Sequence, residues 1–417
     1  MKKFLLAICA FSMLLAQTSF SQRTCSTMDV LEHRISQNSE IATNLEAAER
    51  RAAEWKAANP DFGRSADDVV YIPVVVHVVY IDSSVENISE AQIMSQIDVL
   101  NEDFRRHNPD SVNTRPEFQH LASDVGVEFC MADKDPDGNQ TTGITRTQGD
   151  GGFFGFFDPF TNSVKANSTG GKDPWPADQY LNIWVCNLGF FGLLGYAQFP
   201  GDDPATDGIV IDYRYFGTTG TVTAPFDNGR TTTHEVGHWL GLFHVWGDGD
   251  CSMDDMVDDT PDAEEQSQGC NFTKAGCGST DMIENFMDYS DDGCMNMFTH
   301  GQSARIWSFL DTDPARNSVI SSPGCYINTG IGEYQNVQTI KTYPNPSSGQ
   351  VYVDLSKFRN ETSKIEVRNL LGEIVWSGQS KAKTGTTLDL TEQPAGTYIL
   401  TVKTGSQTAE GQIIIQK

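Results

Sequence analysis

The chain has 417 residues, of which 56 are acidic and 29 basic, so its formal net charge is −27. A protein this acidic is repelled by nucleic acid and by anionic membrane surfaces, which argues against both as partners. The length predicts two or three domains with room for a large core.

The N-terminal residues have the features of a secretory signal peptide, predicted at residues 1–21. Lys2 and Lys3 precede an apolar stretch at 4–15, and residues 19–21 form a small-x-small cleavage site. The apolar stretch is shorter than the ~18 residues that a membrane-spanning helix needs, and no later segment approaches that length. We therefore expect an exported protein without a transmembrane segment, in which disulfides can form.

Residues 22–65 are polar and are helix-prone around Leu45–Trp55, which predicts a short pro-segment. Its cleavage site is predicted near Arg64-Ser65. A compact body is predicted to follow at residues 66–326. Its apolar spacing indicates a helix over Ser89–Arg106, with Ser89 as the N-cap. Buried strands are predicted at Tyr71–Tyr80, Val125–Met131, Tyr180–Leu188 and Gly208–Tyr215. This order favours an α/β (α+β) body around a twisted, mostly parallel sheet.

A linker is predicted at residues 327–336, and the sequence pattern changes after it. Residues 337–417 alternate short apolar strands with turn residues, which indicates a small all-β sandwich. Its strands are predicted at 351–355, 364–368, 372–376, 396–402 and 411–415.

The segment 234–244 reads HEVGHWLGLFH and predicts a zinc site. On a helix, His234 and His238 share one face. Gly241 permits a sharp turn, after which His244 returns as a third ligand. Three neutral imidazoles leave a fourth position open, as in catalytic zinc sites. Glu235 is then the expected general base for a zinc-activated water that hydrolyses a peptide bond. Core histidines on an ordinary helix are the structural alternative.

This extended motif resembles that of the metzincin peptidases, whose second signature is a methionine turn; Asn285-Phe-Met-Asp-Tyr289 supplies it with Met287. Over roughly residues 68–326 the chain resembles the pappalysin family, particularly its bacterial members. The resemblance implies a two-part metzincin fold with a twisted upper sheet and an irregular lower subdomain. It also implies that Tyr289 lies by the zinc and donates a hydrogen bond to the oxyanion. Alternatively, its hydroxyl only orients the turn.

The same resemblance implies a structural calcium site. The loop concerned suits calcium, which takes oxygen ligands from carboxylates, hydroxyls and carbonyls. Its ligands would be Asp255, Asp259 and Thr260, unless this acidic loop is only solvated. The implied disulfides are Cys251–Cys277 and Cys270–Cys294, although the sequence alone allows three connectivities. Three further cysteines, Cys130, Cys186 and Cys325, form an odd number, and the sequence does not indicate which of them are paired.

Two further residues are assigned through relatives of the pappalysin family. Cys25 follows the signal peptide and would act as a cysteine switch, with its thiolate at the water's position on zinc. An incidental disulfide half is the alternative. Asp292, five residues past Met287, corresponds to an acidic residue that favours Arg or Lys at P1′, because a buried carboxylate recognises a guanidinium. It could instead face solvent, as could Asp291.

The segment Tyr343-Pro-Asn-Pro-Ser-Ser-Gly349 and the final Ile-Ile-Ile-Gln-Lys resemble the sorting domain of the type IX secretion system of Bacteroidetes. This implies export through the periplasm, with the type IX machinery as a partner, to the medium or the cell surface. A β-module that binds carbohydrate or protein is the alternative. Taken together, we expect a monomeric, secreted zinc endopeptidase that acts on proteins or peptides. The competing hypotheses are a non-peptidase zinc hydrolase and a non-enzymatic adhesin.

Overall fold

The protein is described from a computed structural model. The described residues are 23–60, 62–63, 69–149, 154, 158–189, 192–325, 338–356, 362–369, 373–381, 384–404 and 407–417. The predicted signal peptide, the predicted cleavage site at Arg64-Ser65 and the predicted linker at 327–336 lie outside them. Within this part of the chain, no helix has the length and hydrophobicity required to span a membrane. The chain divides into two compact units, Met1–Ile327 and Asn328–Lys417.

The first unit is organised around a seven-stranded sheet with the order β1-β6-β7-β5-β2-β3, in which β4 also pairs with β2. Its strands are β1 (Thr24–Cys25), β2 (Val70–Tyr80), β3 (Val127–Met131), β4 (Ile144–Gln148), β5 (Leu181–Cys186), β6 (Leu193–Ala197) and β7 (Ile209–Asp212). Every pairing is parallel except that of β6 with β7. The predicted mixed fold with a mostly parallel sheet is therefore confirmed.

Strand β2 is the centre of this sheet because it is apolar on both faces. It pairs with β5 along 74–78, while its other edge is shared by β3 at 70–74 and β4 at 76–80. Val74, Val76 and Val78 belong to the main core. A strand covered on both faces needs a continuous β-branched run, which is what the sequence here provides.

Helices cover this sheet, and one of them carries the first two histidines of the predicted zinc motif. They are α1 (Thr27–Gln37), α2 (Ser39–Ala58), α3 (Glu90–Phe104), α4 (Asp158–Thr161), α5 (Arg230–Trp239), α6 (His300–Thr312) and α7 (Pro314–Val319). The start of α3 is fixed by the Ser89 side chain, which accepts a hydrogen bond from the Gln92 amide at 3.2 Å. The apolar face of α3 is buried, as its spacing predicts.

The cysteine-rich insert has little regular structure of its own. Its only described strands are β8 (Ala275–Gly276) and β9 (Ser279–Thr280). Disulfides join Cys251 to Cys277 and Cys270 to Cys294. A third disulfide, Cys130–Cys325, ties β3 to the end of the first unit across 195 residues of sequence. Cys186 lies buried within β5.

The second unit contains two sheets, with strand orders β10-β17-β16-β13-β14 and β11-β12-β15. The strands are β10 (Gln338–Thr339), β11 (Thr342–Tyr343), β12 (Gln350–Asp354), β13 (Ser363–Asn369), β14 (Ile374–Ser380), β15 (Gly385–Asp389), β16 (Gly396–Thr404) and β17 (Gln407–Ile415). Alternate residues of β12, β13 and β16 fill one core, so the predicted β-sandwich is confirmed.

Candidate metal centre and active site

Helix α5 carries the first two predicted zinc ligands and the predicted general base. Every residue of this ten-residue helix is buried, although most of its side chains are polar. Burial of so many polar groups is costly unless each has a partner, so a fully buried polar helix indicates a functional site.

The chain turns back after α5 at Gly241, whose φ is +94°. A Cβ at this position would lie 2.3 Å from the Phe309 ring, so only glycine fits both the conformation and the space. The turn brings His244 back towards the helix. The structure therefore brings together the three histidines of the motif.

The three imidazoles point their Nε2 atoms at one position. The Nε2 of His238 lies 3.1 Å from that of His234 and 3.0 Å from that of His244. Zinc–nitrogen bonds of 2.0–2.1 Å in a tetrahedron place ligand nitrogens about 3.3 Å apart. The Nδ1 atoms instead bond Phe286 O at 2.8 Å, Leu242 O at 2.7 Å and an Asp248 carboxylate oxygen at 2.6 Å. These acceptors keep the proton on Nδ1 and turn each Nε2 lone pair inward, which is the arrangement that a cation requires.

The electrostatics of the site favour neutral imidazoles. Burial, followed by repulsion from His238 and His244, holds the pKa of His234 well below its usual range. Burial, followed by the neighbouring His244, likewise lowers the pKa of His238. Neutral rings with converging lone pairs repel one another unless a cation lies between them, so these residues fit zinc.

Met287 lies beneath α5. It is fully buried, and a Cβ added to Gly237 would lie 2.4 Å from its sulfur atom. The glycine of the HEVGH sequence is therefore the residue that lets the helix settle on this methionine. The Met287 carbonyl accepts a hydrogen bond from the Val245 amide at 3.3 Å, which links the turn to the segment after His244.

Aromatic rings surround the third histidine. The Trp246 ring stacks on His244 with centroids 4.3 Å apart and an angle of 7°, and Tyr289 meets both rings edge-on. The Tyr289 hydroxyl donates to Cys25 O at 2.9 Å and accepts from Cys25 N at 3.1 Å. Its hydroxyl therefore contacts the pro-segment backbone beside the three histidines.

Cys25 reaches the same position from the pro-segment. Its sulfur and one nitrogen from each of His234, His238 and His244 all lie within 4.8 Å of one another. Among the residues that the structure describes, this is the only such group of potential metal ligands. Strand β1, which carries Cys25, lies at the edge of the sheet and pairs in parallel with β6.

The Glu235 carboxylate lies beside this group. It accepts a hydrogen bond from the Thr27 hydroxyl at 3.0 Å, and the Cys25 sulfur is 3.4 Å away. Burial raises the pKa of Glu235 to about 7, although the hydrogen bonds from Cys25 and Thr27 act in the opposite direction. A carboxyl group whose pKa lies near neutrality can both accept and return a proton.

Asp292 is buried and pairs with Arg23, two residues before Cys25. Its second oxygen accepts from the amides of Asn228 at 2.9 Å and Arg230 at 3.2 Å. The Arg23 guanidinium also lies over the Phe226 ring, 5.0 Å from its centroid. Asp291, in contrast, is only partly buried.

The predicted calcium residues lie close together but have different partners. The Thr260 hydroxyl is 2.8 Å from an oxygen of Asp255, whose pKa is raised to about 7 mainly by burial. The Asp259 carboxylate instead accepts hydrogen bonds from the Thr299 hydroxyl and the Gly301 amide at the start of α6.

Sequence reasoning missed several contributors to this site, among them Arg23, Thr27, Gly195, Trp246 and Asp248. A Cβ at Gly195 would lie 3.1 Å from Cγ of Glu235, so this glycine of β6 makes room for the Glu235 side chain. Thr27 also accepts from the Ala197 amide at 2.8 Å and so connects the pro-segment to β6. Only Asp248, four residues after a zinc ligand, had a local signal in the sequence.

Two family models match the chain. Residues 164–311 match the model described as pregnancy-associated plasma protein-A, and residues 341–416 match the secretion system C-terminal sorting domain.

Individual relatives are metalloproteases by name. An extracellular metalloprotease of Arthroderma otae is 43% identical over 132 residues, which are 30% of this chain and 49% of that protein. Our chain thus spans about half the length of this curated relative. An extracellular metalloprotease of Verticillium alfalfae is 32% identical over 260 residues, which cover 60% of this chain and 78% of that protein. A point mutant of Tannerella forsythia promirolysin superimposes with a TM-score of 0.64 at 44% identity, covering 72% of this chain and 97% of that one.

The geometry predicts one zinc ion per chain, and metal analysis of the purified protein tests this. Replacement of His244 by Ala should weaken zinc binding by more than about a hundred-fold. Loss of a residue that only hydrogen-bonds a zinc ligand weakens binding by up to about a hundred-fold, so loss of a ligand itself should exceed that value. Competition with a chelating dye measures this affinity. The matched control is His300→Ala, an exposed histidine at the start of α6. Equal zinc affinity in both variants would contradict the assigned ligand set.

Proposed function

Since this chain belongs to the pregnancy-associated plasma protein-A family, we propose that it is a secreted zinc-dependent endopeptidase. The pappalysin and sorting-domain resemblances drawn from the sequence are confirmed by these matches. The observation that carries the proposal is the convergence of three imidazole Nε2 atoms beside the Glu235 carboxylate.

In this proposal His234, His238 and His244 hold the zinc ion. Bound in this way, zinc supplies a Lewis acid that lowers the pKa of water and polarises a carbonyl. Glu235 accepts the proton of the attacking water and returns it to the leaving amine, a role suited to a pKa of about 7.

Tyr289 is proposed to stabilise the oxyanion. Its hydroxyl contacts the Cys25 peptide groups, and removal of the pro-segment would free its proton for a substrate carbonyl. The ring is held against His244 and Trp246, so the hydroxyl would be positioned before substrate arrives.

The position of Arg23 supports the proposed preference for Arg or Lys at P1′. An arginine of the pro-segment already occupies the pocket of Asp292, beneath the Phe226 ring. A buried carboxylate whose second oxygen is satisfied by two amides is rigid, and it can accept a guanidinium or ammonium group without rearrangement.

Latency is proposed to depend on Cys25. A thiolate is a strong zinc ligand, and this sulfur is grouped with the three ligand nitrogens. With β1 paired to β6 and Thr27 bonded to the Glu235 carboxylate, both the metal and the general base would be blocked.

We also propose a structural calcium ion at the loop of Asp255 and Thr260. A carboxyl group buried next to a hydroxyl is costly to ionise without a cation, and a calcium ion would offset that cost. Asp259, as a third ligand, would have to share its carboxylate with the start of α6. Absence of calcium from the purified protein after dialysis against a calcium-containing buffer would contradict this site.

Export is attributed to the second unit. Its match to a secretion sorting domain supports delivery through the periplasm by the type IX machinery to the medium or the cell surface. A zinc hydrolase that acts on other amides or esters remains the second candidate, because zinc, water and a glutamate do not by themselves dictate a peptide substrate.

The central prediction concerns hydrolysis of casein. The matured enzyme should cleave it, a zinc chelator should abolish cleavage, and Glu235→Gln should lower kcat by about 10² to 10⁴-fold because the general base is lost. Glu264→Gln, at an exposed glutamate in the insert, is the control and should retain full activity. Chelator-sensitive hydrolysis of small esters without cleavage of casein would instead support the non-peptidase hydrolase. Zinc binding without any hydrolysis would support the adhesin.

The specificity prediction concerns Asp292. Asp292→Asn should lower kcat/KM for peptides with Arg or Lys at P1′ by about ten-fold to a hundred-fold, because a charge-assisted pair is lost. Hydrolysis of peptides with apolar P1′ residues should change far less. A peptide library measures both, with the partly buried neighbour variant Asp291→Asn as control. An unchanged basic preference would rule out this pocket.

The latency prediction concerns Cys25. Cys25→Ala should shorten the delay before activity appears in purified precursor, since zinc is no longer blocked by sulfur. The appearance of activity and of the mature N-terminus is followed over time. Ser36→Ala, an exposed position on α1, is the control. A delay equal to that of the parent would contradict the switch.

A further inference from the structure

Helix α2 of the proposed pro-segment lies along α6 of the body. Ala48 and Ala52 of α2 are almost completely buried, where they cluster with Phe309. Two small residues one turn apart allow the helices to approach closely. The contact therefore has an apolar centre of its own.

An ion pair between buried Arg305 and partly exposed Glu49 reinforces this contact. The Glu49 carboxylate receives both terminal nitrogens of Arg305, at 3.0 and 2.6 Å. The Arg305 side chain is only 3% exposed, and its Nε donates to Gly241 O at 2.7 Å. Its guanidinium lies 4.9 and 5.2 Å from the ring centroids of Phe243 and Phe309. If α2 departs, this arginine keeps its hydrogen bond to Gly241 O and loses both hydrogen bonds to the Glu49 carboxylate.

The C-terminal end of α6 provides further contacts. Arg51 donates to Thr312 O at 3.1 Å, where a cation is favoured by the helix dipole. The Trp55 indole donates to the Asp311 carboxylate at 2.9 Å. The Trp55 ring also meets Phe62 edge-on, so the contact continues to the last residues of the described pro-segment.

The contacts of α1 are made with a different part of the body. Arg34 donates to the Gln198 side chain at 2.6 Å and to the Thr206 hydroxyl at 3.0 Å, and it pairs with Asp202 at 3.1 Å. Together with Cys25 in the cleft, the pro-segment is held at several separate places. All of these places lie before residue 63, so none requires the covalent connection to the body.

We infer that the α6 face around Arg305, Phe309 and Asp311 is a docking surface for α2 that holds the pro-segment after its bond to the body has been cut. Cleavage then leaves a non-covalent complex that is still latent, and the detached pro-segment is an inhibitor of the mature enzyme. Activation has a second step, the dissociation or destruction of this peptide. The inference rests on the proposed peptidase function and adds a step to its regulation.

The binding test does not depend on activity. The full chain with Glu235→Ala, which cannot process itself, receives a recognition sequence for an unrelated protease in place of residues 64–68. After cleavage, native mass spectrometry should find the pro-segment still bound. Glu49→Gln should accelerate its dissociation by roughly ten-fold to a hundred-fold, since a buried charge loses its partner. Glu46→Gln, at an exposed glutamate on the same helix, should leave the rate unchanged.

A second variant keeps the test valid if Glu49→Gln fails to fold. Arg51→Gln should also accelerate dissociation, while thermal unfolding of the uncut chain shows whether either variant is folded. Immediate separation of the parent pro-segment on cleavage would overturn the inference. Equal dissociation rates for the parent, Glu49→Gln and Arg51→Gln would overturn the role of the α2–α6 surface.

The activity test uses a synthetic peptide of residues 23–63 added to matured enzyme with casein as substrate. The peptide should inhibit, and its Glu49→Gln form should need about ten times the concentration, in contrast to its Glu46→Gln form. An active enzyme that this peptide does not inhibit would refute the inference alone. A matured protein without any activity would refute the proposed function, while the mass spectrometric result would still decide the docking.

Discussion

The structure depends on holding three uncharged imidazoles in a buried position with their Nε2 lone pairs facing one another. Such an arrangement is unfavourable unless each ring is fixed from outside. Two main-chain carbonyls and the Asp248 carboxylate do this by accepting the Nδ1 protons. Gly241 and Gly237 are consequences of the same constraint. The first lets His244 return past Phe309, and the second lets Met287 support the helix from below. The sheet and its helices serve to keep these partners in place.

What could be predicted from the sequence was local. Strand β2 and helix α3 were placed within two residues, because their periodicity is complete within fewer than twenty positions. Strands β4 and β6 were missed, since ITRTQ and LLGYA show no clear alternation and owe their form to their neighbours in the sheet. The partner of Cys130 is 195 residues away, and no short pattern indicates it. Thr27 was missed for the same reason, because a threonine gains its role only through distant contacts.

The strong acidity of the chain has a specific structural use within the first unit. Three arginines of the proposed pro-segment pair with acidic side chains of the body: Arg23 with Asp292, Arg34 with Asp202, and Arg51 with Asp313. Glu49 reverses this polarity at Arg305. Exposed pairs contribute little, but a buried charge that loses its partner is costly, so the pairs at Asp292 and Arg305 should dominate. One lies in the cleft and the other on α6, which separates recognition at the active site from retention outside it.

This separation follows from the chemistry of the cleft. The groups to which we assign peptide hydrolysis and its specificity are also costly to leave buried without partners, namely the Glu235 carboxyl, the Tyr289 hydroxyl and the Asp292 carboxylate. The pro-segment satisfies each of them through Thr27, the Cys25 peptide groups and Arg23. A substrate would satisfy the same groups, so a change that tightens substrate binding there would tighten the pro-segment as well. Only contacts outside the cleft can adjust latency without altering catalysis. In our proposal the α2 side of the α2–α6 surface has that freedom, because Glu49 contacts Arg305, whereas Arg305 and Phe309 themselves also contact the Gly241 turn of the histidine motif.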